Sequence, residues 1–153
     1  MSLTENPDIV TWPETHYVFV EKDGPFAETA PAAWHELVAQ APALEQQGKV
    51  TARFALYRMG PDRMTYRAGV AMRSRPDSVP PGTGYTLFKG GKYARFVLTG
   101  PYRELGPASA RVWELVVEHR LKLRPDFAIE HYVNDPMKIP EDQLITEILV
   151  PIK

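Results

Sequence analysis

The chain repeats itself, and that constrains its fold more than any other feature. Gly24-Pro25-Phe26-Ala27-Glu28 returns as Gly100-Pro101-Tyr102-Arg103-Glu104, and each copy is followed by a Pro-Ala pair (Pro31-Ala32, Pro107-Ala108) and a tryptophan-bearing apolar stretch. The same spacing pairs Trp12 with Phe88, Tyr17 with Tyr93 and Val20 with Phe96; farther on, Arg53-Phe54-Ala55-Leu56-Tyr57 lies against Asp126-Phe127-Ala128-Ile129-Glu130. One supersecondary unit used twice is the physical reading. It divides a single 153-residue domain into repeat 1, about residues 8–73, and repeat 2, about residues 85–153. Residues 74–84, with Pro76, Pro80, Pro81, Gly82 and Gly84, connect them and cannot hold regular structure.

Within repeat 1, strands are expected at Asp8 to Trp12 and at Tyr17 to Glu21. A helix follows, with Pro31 in its first turn, an apolar stripe at Ala30, Ala33, Trp34, Leu37, Val38 and Ala41, and a stop at Pro42. Val50 to Met59 and Met64 to Met72 then read as strands around a Gly60-Pro61-Asp62 turn. Repeat 2 restarts the pattern with strands at Tyr85 to Phe88 and Tyr93 to Leu98, a helix from about Pro107, and strands at Phe127 to Val133 and Leu144 to Val150. Strand-strand-helix-strand-strand, taken twice, predicts an α+β fold. Its antiparallel sheet would carry two helices on one face and a ligand cleft on the other.

Eighteen basic against nineteen acidic residues give a net charge of −1, which argues against a whole-surface grip on nucleic acid. The absence of cysteine excludes disulfides, thiolate chemistry and cysteine-ligated metals. No apolar run approaches membrane-spanning length and no charged-then-apolar leader opens the sequence, so a cytoplasmic protein with no membrane partner is expected. No metal and no cofactor is expected either. His35-Glu36-Leu37-Val38-Ala39 lacks the second histidine that a zinc helix needs, and His16, His119 and His131 show no ligand spacing.

Strand alternation separates Phe54 and Leu56 from Ala55, Tyr57 and Met59, and Phe127, Ile129 and Val133 from Ala128, Glu130 and Tyr132. If bulk marks the side under the helices, Tyr57, Met59, Ala128, Glu130 and Tyr132 face away from them. Met64, Tyr66, Ala68 and Met72 join from the neighbouring strand, and Trp12 is a further candidate. One carboxylate among aromatic and methionine surface suits a flat or lipophilic organic cation, through ring quadrupoles and a desolvated charge. Tyr57 is the counterpart of Glu130 in repeat 1, so the duplicated frame becomes asymmetric at that residue. Glu147 reads as a second acid or as a structural ion pair. Arg53, Arg58, Arg63, Arg67, Arg73 and Arg75 form a local basic stripe, read as solvated strand edge or as a protein-facing surface.

Gly91-Lys92-Tyr93-Ala94-Arg95-Phe96 through Gly100-Pro101-Tyr102, Trp113, Ile129-Glu130-His131-Tyr132-Val133-Asn134-Asp135-Pro136 and Thr146-Glu147-Ile148-Leu149-Val150-Pro151-Ile152 resemble the gyrase-inhibitor-like (GyrI-like) small-molecule-binding superfamily. That superfamily includes the effector-binding domains of AraC-type and MerR-type multidrug regulators. The resemblance implies paired strand-helix-strand-strand modules (an SHS2 tandem) related by a pseudo-two-fold axis, a drug-sized pocket between them, and a buried glutamate that maps onto Glu130. No DNA-binding helix-turn-helix is seen in the sequence, so direct contact with nucleic acid is not expected. Three functions follow. The first is a stand-alone binding protein for lipophilic, often cationic, xenobiotics, with Glu130, Tyr57, Tyr132, Tyr66, Met59, Met64, Ala128 and Trp12 as ligand-binding residues. The second is a hydrolase of cyclopropane-bearing alkylating natural products, as some stand-alone family members are described, with Glu130 as general base assisted by Tyr132. The third is modulation of gyrase or another protein partner, by analogy with the family's namesake.

Overall fold

A computed structural model describes residues 1–153. It contains nine strands and two α-helices in the order β1 (Ser2–Leu3), β2 (Asp8–Trp12), β3 (Thr15–Asp23), α1 (Phe26–Glu45), β4 (Val50–Met59), β5 (Met64–Met72), β6 (Gly84–Phe88), β7 (Gly91–Thr99), α2 (Leu105–Glu118), β8 (Ala128–Tyr132) and β9 (Ile145–Pro151). Two compact units emerge, Met1–Trp12 with Gly91–Lys153, and Pro13–Gly90.

In the Pro13–Gly90 unit the strand order is β4-β5-β3-β6, every ladder antiparallel. In the other unit β8-β9-β7 is completed by β1 and β2, which both pair with β7, again antiparallel. The sequence repeat and the compact units therefore differ by an exchange. The first strand of repeat 1, β2, runs along β7, and the first strand of repeat 2, β6, runs along β3.

The two units reproduce one another in detail. Tyr17 Oη donates to the Phe54 carbonyl at 2.9 Å, and its counterpart Tyr93 donates to the Phe127 carbonyl at 2.8 Å. The Gly24 amide donates to Met64 O at 2.9 Å, and that of Gly100 to Leu144 O at 2.8 Å. Both glycines have positive φ, 133° and 146°, a region that a Cβ makes costly, so each Gly-Pro pair turns a strand sharply into a helix.

Helix α1 begins five residues before its expected proline and runs past the second one, so Pro31 and Pro42 both lie inside it. Each removes one backbone donor, yet Ala33, Leu37 and Leu44 bury the packed face, and that burial outweighs two missing hydrogen bonds. The stripe is narrower than expected, since Val38 and its repeat counterpart Val117 are exposed. Helix α2 packs Ala108, Val112, Leu115 and Val116 onto Ala94, Phe96, Leu98, Ile148 and Val150.

The assignment of strand faces is corrected. Cross-strand partners share a face, and β8–β9 register sets Glu130 opposite Ile148 and Tyr132 opposite Thr146. Ile148 belongs to the α2 core, so Glu130 and Tyr132 lie on the helix-bearing side of their unit and not on the reverse. The same inversion holds for Tyr57 and Tyr66, which are cross-strand partners, because Trp34 of α1 donates through Nε1 to Tyr66 Oη at 2.8 Å. Bulk misleads because the reverse sides are buried as well. Tyr17, Phe54 and Phe88 pack there as an aromatic cluster, all at most 7% exposed.

Candidate functional site

Ala128, Glu130 and Tyr132 alternate along β8 and so project to one side. Tyr132 Oη donates to Glu130 Oε1 at 2.5 Å, at the short end for a hydroxyl bonded to a carboxylate. A T-shaped contact backs the Tyr132 ring: Tyr102 lies 5.5 Å from it, centroid to centroid, with planes 68° apart. Tyr102 opens the 3-10 turn Tyr102–Glu104 directly after Gly100-Pro101. The sequence reading passed over it. Its signal in the sequence is the recurring Gly-Pro-aromatic triplet, which ends a strand and also delivers a ring.

Burial raises the Glu130 pKa above the ordinary carboxylate value, and the Tyr132 hydrogen bond partly opposes this. No lysine, arginine or histidine forms an ion pair with Glu130, whereas Glu147 on the adjoining strand has two such partners. Glu130 nonetheless keeps intermediate exposure. The carboxylate is thus desolvated by surrounding atoms yet still reached by solvent.

The opposite side of the same strands has different chemistry. His131 Nδ1 donates to Glu147 Oε1 at 2.8 Å, Arg95 reaches Glu147 Oε2 at 3.6 Å, and Arg95 also pairs with Asp8 at 3.2 Å. The His131 hydrogen bond, ahead of the Arg95 charge and against partial burial, lowers the Glu147 pKa. Glu147 is thus a structural ion-pair acid. Trp12 stacks edge-on against His131 at 5.4 Å, so β2 brings it to the side away from Glu130. Its expected place beside Glu130 is corrected accordingly.

In the Pro13–Gly90 unit Tyr57 and Tyr66 are almost wholly buried beneath α1, with Phe26 5.6 Å and 5.9 Å from their rings. They are packing residues of that helix first. Met59 and Met64 pair at the strand ends, and Met59 is 61% exposed. Within the arginine stripe, Arg67 bonds Glu21 at 2.8 Å and lies over Phe19, Arg63 pairs with Asp23 and Arg75 lies over Tyr85. No group of His, Asp and Glu is arranged to hold a metal ion, and no helix is long and apolar enough to cross a membrane.

The duplicated α+β frame carries a desolvated acid flanked by aromatic rings, and residues 5–153 match the family described as "GyrI-like small molecule binding domain". The chain belongs to that family, as its motifs indicated. Among solved structures it is similar to SAV2435 bound to tetraphenylphosphonium, at 15% identity and TM-score 0.75, covering 97% of this chain and 94% of that one. The EcmrR C-terminal domain is similar at 17% identity and TM-score 0.75, covering 100% and 99%. A hydrolase from Listeria innocua follows at 15% identity and TM-score 0.65, covering 97% and 92%. At these identities the likeness is one of fold. No curated protein sequence matches the chain.

Proposed function

We propose that this domain binds a lipophilic organic cation, with Glu130 as the charge partner and the Tyr132 and Tyr102 rings as apolar wall. The observation that carries this reading is the state of Glu130: desolvated, still reachable, and without any cationic side chain. A buried carboxylate left with only a neutral phenol for a partner costs stability, which a ligand's positive charge can offset. Ala128, the next residue on that side, adds little bulk beside the acid. The family's binding character and the tetraphenylphosphonium-bound relative support the reading. Calorimetric titration with tetraphenylphosphonium and with an uncharged aromatic of similar size tests it. Preference for the cation is expected; equal affinity for the two would contradict a charge-selective site.

A second reading is hydrolysis, favoured by the Glu130–Tyr132 pair itself. A carboxylate whose pKa is raised by burial is a stronger base toward water, and the phenol keeps one oxygen oriented. Incubation with a cyclopropane-bearing alkylator is the check. A ring-opened product formed faster than in buffer, and lost in Glu130→Gln, supports hydrolysis; no excess product removes it for that substrate class.

A further inference from the structure

We propose that Tyr102 is a positioning residue for the site: the edge of its ring fixes the Tyr132 side chain in the orientation that brings the Tyr132 hydroxyl onto Glu130. This rests on the reading of Glu130 as the ligand-facing acid and adds to it a residue that touches the acid only through another. Three features carry it. The Tyr102–Tyr132 geometry, 5.5 Å and 68°, lies within the edge-to-face range that aromatic pairs prefer. Tyr102 itself is held by the chain, because the Gly100 amide is tied to Leu144 O and the Glu104 amide to Pro101 O on either side of it. The third feature is the repeat. In the other unit the Gly-Pro turn delivers Phe26 edge-on to Tyr57 at 5.6 Å and 72°. The frame thus uses the same turn twice to set a ring against the corresponding strand face, against Tyr57, the counterpart of Glu130, in one copy and against Tyr132, two residues beyond the acid, in the other.

A tyrosine two residues from the acid on one strand has other staggered orientations open to it. The Tyr102 ring favours the orientation in which the Tyr132 hydroxyl reaches Glu130, so its removal is expected to weaken that hydrogen bond. The contact is ring to ring, so phenylalanine should serve in place of Tyr102 and an aliphatic residue should not.

The test is a carboxyl-carbon NMR titration of Glu130 in the ligand-free protein. Burial and the Tyr132 hydroxyl are the two influences on this group, and they oppose one another. Tyr132→Phe is therefore expected to titrate at higher pH than wild type. Tyr102→Leu should shift in the same direction, Tyr102→Phe should titrate with wild type, and Tyr102→Leu added to Tyr132→Phe should shift Glu130 no further. Wild-type titration in Tyr102→Leu, or a further shift in the double variant, overturns the proposal. Tyr102→Met keeps most of the side-chain volume and carries the same expectations should the leucine variant not fold. Because no ligand is present, a negative result counts against Tyr102 alone, whereas failure to bind tetraphenylphosphonium counts against the proposed function.

Discussion

Glu130 and Glu147 sit on neighbouring strands, yet their surroundings push them in opposite directions. Burial raises the first and the His131 hydrogen bond lowers the second. For Glu130 the folded pKa lies above the unfolded one, near 4.5, so the folded state holds more protons across that window. Stability then falls as pH rises through it, and the penalty persists at neutral pH. Glu130→Gln is expected to melt at a higher temperature than wild type at pH 7, with the gap closing in acid; thermal unfolding across pH checks this. A site acid that lowers stability is a common cost of function. Cation affinity should move the other way, weakening as pH drops through the raised pKa and Glu130 loses its charge. Titration of tetraphenylphosphonium at several pH values reads that dependence, which Glu130→Gln should abolish.

At the scale of strands, charge and close packing are arranged in rows. Asp8, Arg95, Glu147 and His131 follow one another across β2, β7, β9 and β8. Since Glu147 is lowered in the folded state, its contribution is fully present above pH 4.5 and is lost as pH falls through the lowered value. Glu147→Gln should therefore flatten the acid limb of the stability curve relative to wild type. On β5, Gly69 permits the Tyr17 ring to lie against the strand, for a Cβ there would meet Tyr17 Cζ at 2.3 Å. Gly69→Ala is expected to destabilise by about 1–3 kcal/mol, the ordinary range for overpacking, in chemical denaturation. The strands were legible because alternation and glycine turns are local signals; Val50–Met59 and Met64–Met72 appear at their expected bounds. The start of α1 was not, because prolines at 31 and 42 are read as boundaries when packing elsewhere on the helix can carry them through.

Across the whole molecule, duplication is the strongest signal in the sequence, and the paired tyrosine-to-carbonyl bonds are its physical counterpart. Tyr17→Phe should cost about 1–3 kcal/mol, since it leaves the buried Phe54 carbonyl without this donor, and Tyr93→Phe less, since the bond to the Phe127 carbonyl is only part-buried; denaturant midpoints would show the order. The first-strand exchange left no local trace, because pairing between β2 and β7 depends on partners far apart in the chain. The face of Glu130 was misjudged for a related reason: with large side chains buried on both sides of a strand, bulk no longer tells which side the helix covers. Glu130 itself was legible as the residue that breaks the symmetry between repeats, whereas Tyr102 was not, because its role lies in a ring contact with another strand.

The central claim is that Glu130 supplies the charge that a cationic ligand meets. Its most direct test is calorimetric titration of tetraphenylphosphonium into wild type and Glu130→Gln at pH 7, both confirmed as folded. The account predicts a loss of at least about tenfold in affinity, or ~1.4 kcal/mol, on removing a desolvated charge partner. Equal affinity in the two proteins would contradict it.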